Sequence, residues 1–267
     1  MKVVVWDDGG LIGVETALWV RDHGHEVALL SAPRGLDPFT QEEITEVLRD
    51  CSVVIDLLCR PSLAIGTLTE DQGFLIDEEA LVDSWTRSTR RLLQAETTAG
   101  VTYHVALSVA GVDRVASRGV FRALKAREAM IQRSETPHFI LRSTQMFESA
   151  EEIATAGTED WIVWVPPVEV RPVALTDVAV LLAHTAVSRP RTGVHEIAGP
   201  EQLGLDAFVR AALAANAEYR RVFTDIHSPF FGTCLRPSDL LPEADAFIGQ
   251  TSYWEWFSGR PSPETSP

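Results

Sequence analysis

The sequence predicts an α/β fold: a doubly wound parallel sheet with a small C-terminal subdomain. Three observations carry this. The chain opens on a short apolar run, Lys2-Val3-Val4-Val5-Trp6, followed by a turn with glycines and then by apolar residues at helical spacing. Strand-like runs then alternate with helix-like stretches as far as Arg142, the signature of parallel strands joined by crossover helices. The run Ser52-Val53-Val54-Ile55-Asp56-Leu57-Leu58 is apolar almost throughout, as strands covered on both faces are.

Each element has its own signal. The first helix is expected over Leu11 to His23, with Gly24 as its stop. Glu26 to Ser31 reads as the second strand, and Ala32 to Pro38 as a loop. Thr40 caps a helix through Leu48, and Glu43 three residues on completes a capping box. Ser52 to Leu58 is the third strand. Residues 59 to 76 form a loop long enough to carry function. A long helix over Asp77 to Ala99, a strand over Val101 to Val109, a helix over Phe121 to Ser134 and a strand over His138 to Arg142 complete the alternation. After Glu148 the rhythm changes. A strand is expected over Trp161 to Val165, and a helix capped by Thr176 or Asp177 runs to Val187. A strand over Val194 to Ala198 and a helix over Leu205 to Ala214 follow. The expected organisation is a Rossmann-like domain over 1–148, a C-terminal substrate-binding subdomain interleaved with the sheet over 149–258, and a flexible Pro/Ser-rich tail over 259–267.

Composition narrows the partners. The formal charge of −15 argues against nucleic acid or an anionic membrane as partner. No apolar run reaches the ~18 residues of a membrane span. The chain enters a strand at residue 2, which predicts no signal peptide and a cytoplasmic location. Cys51, Cys59 and Cys234 are expected to be reduced. No His or Cys spacing fits a metal, so none is expected. The expected partner is a small molecule, of an aromatic or polyketide-like kind. The helix from Asp77 to Ala99 offers a homodimer face, although Trp85 and Leu92 on it read as core.

The turn after the first strand holds a conflict. Gly10 and Gly13 have the spacing of the last two glycines of a phosphate-binding turn, but Asp7 holds the place of the first and Asp8 follows it. Helix N-terminal N–H groups favour an anion there. At ~4 Å and an effective dielectric near 20, an ionised aspartate opposes a phosphate charge by ~4 kcal/mol. The alternative is that Asp7 and Asp8 point away, or cap the helix with no ligand at all.

Five further stretches carry a resemblance. They are Gly10-Leu11-Ile12-Gly13; His104-Val105-Ala106-Leu107-Ser108-Val109-Ala110-Gly111-Val112-Asp113; Leu141-Arg142-Ser143-Thr144-Gln145-Met146-Phe147-Glu148; Arg171-Pro172-Val173-Ala174-Leu175-Thr176-Asp177-Val178-Ala179; and Ala198-Gly199-Pro200-Glu201. In their order and spacing the chain resembles the NmrA-like, NAD(P)-binding branch of the atypical short-chain dehydrogenase/reductases, over nearly its whole length. The resemblance implies a dinucleotide held by Gly10, Leu11, Ile12 and Gly13, with Arg34 meeting the 2′-phosphate of NADP. It also implies a Tyr-x-x-x-Lys motif, in which the phenol passes a proton and the lysine lowers its pKa. Here Val120 stands at the tyrosine place and Leu124 at the lysine place, while Lys125 is one residue late and turned ~100° around the helix.

Two losses, in the turn and in the Tyr/Lys pair, favour an enzyme that keeps the fold but has left hydride chemistry. It would do acid–base work such as cyclisation, dehydration, isomerisation or an aldol-type step, with no cofactor favoured. The catalytic candidates are Asp7, Ser108, Asp113 and Glu148. Cys59, Arg60, Gln145, Met146, Phe147 and Trp164 are expected to line the substrate pocket. His104, inside a strand, reads as a satisfied core histidine. The alternatives are an oxidoreductase using NAD or NADP, and an NmrA-like dinucleotide sensor.

Overall fold

The computed structural model describes residues 1–32, 36, 38–58, 78–188 and 190–258. Arg34, Cys59, Arg60, the loop over 59–76 and the tail over 259–267 lie outside the described residues. The elements run β1 (Lys2–Asp7), α1 (Leu11–Asp22), β2 (Glu26–Ser31), α2 (Gln41–Val47), β3 (Cys51–Leu57), α3 (Glu78–Ala99), β4 (Tyr103–Val109), α4 (Gly119–Gln132) and β5 (His138–Ser143). They continue with α5 (Ala150–Ala156), β6 (Thr158–Glu159), β7 (Ile162–Val165), β8 (Glu169–Val170), α6 (Leu175–Val187) and β9 (Gly193–Ala198). The last are β10 (Leu203–Gly204), α7 (Leu205–Ala215), β11 (Arg221–Thr224), β12 (Phe247–Ile248) and α8 (Tyr253–Ser258).

Seven strands form one sheet in the order β12-β9-β5-β4-β3-β1-β2, and every pairing in it is parallel. This is a Rossmann-like α/β fold. Strand alternation sends side chains to two cores. Val3 and Val5 pack with Ile12, Ala17 and Val20 of α1 and with Val178 and Leu182 of α6. Val4 and Trp6 pack with Ile44 of α2 and with Leu92 and Ala95 of α3. β1 lies between β2 and β3, so the strand order reverses beside it and a crevice opens at the carboxyl ends of the strands. The C-terminal stretch contributes β9 and β12 to the sheet. It also builds a small three-stranded sheet, β11-β7-β6.

The capping box at Thr40 forms as its sequence requires, with Thr40 Oγ1 accepting from Glu43 N–H and Glu43 Oε2 accepting from Thr40 N–H. The start of α6 differs from expectation. Its N-cap is Ala174, and neither Thr176 nor Asp177 caps it. Glu148 Oε2 accepts the Leu175 N–H at 3.3 Å, while Asp177 accepts from Thr251 N–H and Oγ1–H instead. A cap supplied from 27 residues away leaves no local signature. α4 begins two residues before the expected Phe121. Gly119 holds φ at +53°, and a Cβ there would lie 2.2 Å from the Phe231 carbonyl oxygen, so only glycine fits.

Between β3, β4, α3 and α4 lies a buried charge network. Asp56, Glu96, His104 and Arg127 are each at most 1% exposed. His104 Nδ1 lies 2.7 Å from Glu96 Oε1, and Arg127 Nη2 lies 2.7 Å from Asp56 Oδ2. Arg127 also donates to the carbonyls of Leu107 and Asp56, tying β4 to β3. Burial pulls the His104 pKa down, but the charges of Glu96 and Asp56 and the Glu96 hydrogen bond outweigh it and raise the pKa above its ordinary value. The raised value favours the imidazolium form of His104 beside Glu96 and Asp56. Among the described residues, no helix is long and apolar enough to cross a membrane.

Candidate active site

A cavity of about 260 Å³ opens at the carboxyl ends of β1, β3, β4 and β5. One end is formed by Asp8, Gly10, Leu11 and Ile12; the floor is Leu57, Leu107, Ser108 and Val109; and one wall is Val120, Phe121 and Leu124 of α4. The lining also includes Gln145, Met146, Glu148 and Glu152, and Phe230 and Phe231 of the C-terminal segment, with Phe230 packed on Phe121 of α4.

The turn at the first end places the two aspartates of the sequence differently. Gly10 is the extended N-cap of α1 and no side chain caps the helix there. Asp7 is 2% exposed and is not part of the cavity lining. Its Oδ2 accepts the Gly9 N–H at 2.9 Å, and a Cβ on Gly13 would lie 2.5 Å from its Cβ and Cγ. Asp7 thus turns inward against Gly13. Its carboxylate is held inside the turn and is not part of the lining. Asp8 does line the cavity.

Ser108 anchors the floor. Its hydroxyl donates to Glu128 Oε1 at 2.6 Å. Glu128 is gripped by Arg142 through Nε at 3.0 Å and Nη2 at 2.8 Å, and Arg142 Nη1 donates to Asp113 Oδ2 at 2.6 Å. Burial pushes the Asp113 carboxyl up, but the Arg142 hydrogen bond and charge hold it below the usual carboxylate range. The same partners raise the Arg142 pKa against its burial. Asp113, a catalytic candidate of the sequence, is not part of the lining and is the outer partner of Arg142.

Of the remaining candidates, Gln145, Met146 and Glu148 line the cavity and Phe147 and Trp164 do not. Phe147 points the opposite way into the core, where its ring lies 5.0 Å from Tyr253 and 5.1 Å from Trp256. Trp164 packs on Phe223 in the small sheet. Val120 and Leu124 face the cavity, whereas Lys125 is exposed. Sequence reasoning missed Glu128, Glu152, Phe230 and Phe231. Glu128 continues the i, i+4 row of Val120 and Leu124, and Glu152 lies four residues after Glu148, so helical spacing signals both. Nothing local signals Phe230 or Phe231, which enter from a distant loop.

No protein-family model matches the chain, and no curated protein matches it. Solved structures do. A UDP-glucose 4-epimerase from Thermus thermophilus in complex with NAD superposes with a TM-score of 0.61 at 17% identity, covering 90% of this chain and 92% of that one. It has the short-chain dehydrogenase/reductase fold. An NAD-dependent NDP-hexosamine 5,6-dehydratase involved in tunicamycin biosynthesis shares this fold with a TM-score of 0.62 at 16% identity, over 98% and 99% of the two chains. An NADPH-dependent quinone oxidoreductase from Escherichia coli, in complex with NADPH, gives 0.57 at 14% identity over 84% and 77%. These neighbours overturn the expectation that no cofactor is favoured: they are nicotinamide-dinucleotide proteins of the same fold. The Asp7 carboxylate, whose charge argued against a dinucleotide, is turned inward onto the Gly9 N–H and against Gly13, which the sequence does not show.

Proposed function

We propose that the chain is a nicotinamide-dinucleotide-dependent oxidoreductase of the atypical short-chain dehydrogenase/reductase type, acting on a small, largely apolar molecule. The observation that carries this reading is one cavity joining the open N-terminus of α1 to an apolar chamber under the C-terminal segment. The dinucleotide fits this chain on that observation: the first N–H groups of α1, from Gly10 to Ile12, would hold its pyrophosphate. Arg34 is the sequence-based candidate for a 2′-phosphate. The bound nicotinamide supplies hydride transfer.

The chain's own residues do the rest. Val120, Phe121 and Leu124 keep water from the floor. The Ser108 hydroxyl donates its hydrogen bond to Glu128 Oε1, which leaves its oxygen as an acceptor for a substrate. Arg142 holds Glu128 in place through an ion pair and two hydrogen bonds. The experiment is calorimetric titration of the cofactor-stripped protein with NADPH and NADH. Micromolar binding, followed by turnover of nicotinamide absorbance with an alcohol or carbonyl panel, is the expected result. No heat at millimolar dinucleotide refutes the reading.

One observation favours a second reading. Neither Val120 nor Leu124 can donate a proton, while Glu148 and Glu152 face the chamber. This suits an acid–base conversion in which the bound dinucleotide is not consumed. Substrate turnover without any change in nicotinamide absorbance is its mark.

A further inference from the structure

The hydroxyls around the chamber share one orientation. Ser108, Ser143, Thr144 and Ser149 belong to its lining, and each donates to the protein. Ser143 donates to the Thr144 carbonyl at 2.8 Å, Thr144 to the Arg171 carbonyl at 2.6 Å and Ser149 to the Met146 carbonyl at 2.7 Å. A carbonyl can only accept, so the proton in each bond comes from the hydroxyl. The bond at Ser108 is fixed more firmly. Its partner, Glu128 Oε1, also accepts from Arg142 Nε at 3.0 Å, and Glu128 Oε2 accepts from Arg142 Nη2 at 2.8 Å. Both oxygens of this side chain therefore face N–H groups, and the proton between Ser108 and Glu128 belongs to Ser108. At 2.6 Å the bond has the length of a hydroxyl donating to a carboxylate.

A hydroxyl whose proton is committed offers a ligand only its lone pairs. No Lys, Arg, His, Tyr or Trp belongs to the described lining, so the Gln145 amide is its one side-chain source of N–H groups among the described residues. Gln145 is 6% exposed, its Oε1 has no hydrogen-bond partner among the described residues, and its terminal torsion is two-fold. It can serve a ligand donor or a ligand acceptor, and so does not discriminate. Ser108 does. A ligand hydroxyl finds an acceptor there at once. A ligand carbonyl meets the Ser108 oxygen lone pair to lone pair unless the bond to Glu128 breaks, and bonds to charged groups are the costly ones to lose. A site built to bond a substrate hydroxyl rejects the analogue that lacks it.

We infer that the buried Glu128–Arg142 pair sets the substrate class of the chamber by fixing Ser108 as an acceptor: the ligand is an apolar alcohol, and the matching carbonyl compound is disfavoured. The inference rests on the reading of the cavity as a substrate site and deepens it. Ser108 touches the ligand hydroxyl, and Glu128 and Arg142 act through Ser108 as positioning residues. Met146, Ile153, Phe230 and Phe231 receive the apolar body.

The test uses the full chain and three probes of one ring: cyclohexanol, cyclohexanone and cyclohexyl methyl ether. Each is titrated by ligand-observed NMR without dinucleotide, so that no turnover intervenes, and NADPH is titrated separately. The alcohol is expected to bind about tenfold tighter than the ketone or the ether. Ser108→Ala should bring the alcohol down to the level of the ether. Glu128→Leu combined with Arg142→Met removes the buried pair as a whole, which is tolerated far better than removing one partner, and Asp113 stays beside Arg114. This double variant frees the Ser108 proton, so the ketone should gain and the alcohol-to-ketone ratio should fall to within about twofold. A pair that is merely structural would weaken all three probes alike and leave the ratio in place, which overturns the inference. Melting curves confirm folding first, and Ser108→Ala alone decides if the double variant does not fold. Equal or tighter binding of the ketone or the ether to the wild type also overturns the inference. So does an alcohol preference that survives Ser108→Ala, and so does an alcohol that does not bind. Failure of NADPH to bind while the alcohol preference holds counts against the oxidoreductase reading alone.

Discussion

Replacing His104 by Gln tests whether the buried network is balanced by charge. In the wild type, Asp56 and Glu96 face Arg127 and His104 with all four groups at most 1% exposed. His104→Gln leaves two buried carboxylates against one cation. Breaking a buried pair by removing one partner costs about 3–5 kcal/mol. For a domain of this size that is a fall in Tm of about 6–20 °C. The loss depends on pH with a definite sign. His104 has a folded-state pKa raised above its unfolded value of about 6.5. Its stabilisation is therefore complete below about pH 6.5 and is lost as pH rises through the raised folded value. The assay is thermal unfolding of wild type and variant from pH 5.5 to the alkaline limit of folding, with each variant compared with wild type at the same pH. The gap should be largest at the acid end and close toward alkaline pH. Adding Glu96→Gln to His104→Gln should recover part of the loss, since one unmatched carboxylate leaves with it. A gap that is constant across the range, or that widens as pH rises, refutes the claim that His104 serves as a cation.

Other expectations follow from single contacts. Gly13→Ala should destabilise by about 1–3 kcal/mol through the clash with Asp7, and Asp7→Gly in the same chain should restore most of it, both read by denaturant unfolding. Glu148→Ala should cost about 0.5–2 kcal/mol as a lost helix cap, with Glu148→Gln near wild type. Ser108→Ala should abolish turnover while leaving dinucleotide binding within about twofold, checked by parallel calorimetry and rate measurements. Trp164→Ala should leave ligand affinity unchanged, because Trp164 packs on Phe223 away from the cavity.

The fold was legible because its signals are local. The apolar run at Val3 to Trp6, the glycine after α1 and the Thr40-x-x-Glu43 box each state their own structure within a few residues. The site was legible where it sits on those elements: Ser108 at the end of β4 and Gln145 at the end of β5 both reach the cavity. It was illegible where partners are remote. Glu148 caps α6 from another segment, Phe230 and Phe231 arrive from a loop far along the chain, and Glu128 matters through Arg142. Phe147 and Met146 show a finer limit. They are adjacent, yet one faces the cavity and the other the core, because a short helical turn begins between them. Asp7 shows the sharpest limit. Its residue type argued against a dinucleotide, but the argument depended on a rotamer that packing against Gly13 decides.

The two strands that the C-terminal stretch adds to the sheet also govern how the gene can be cut. β9 pairs with β5 over five residues, and β12 closes outside it. A fragment ending near Glu148 would present β5 as a bare parallel edge of Phe139, Ile140 and Leu141, all now fully buried. Such an edge recruits other chains. The N-terminal part should therefore precipitate when expressed alone and become soluble when the remaining segment is supplied as a separate polypeptide, which makes this protein a natural candidate for split-fragment complementation.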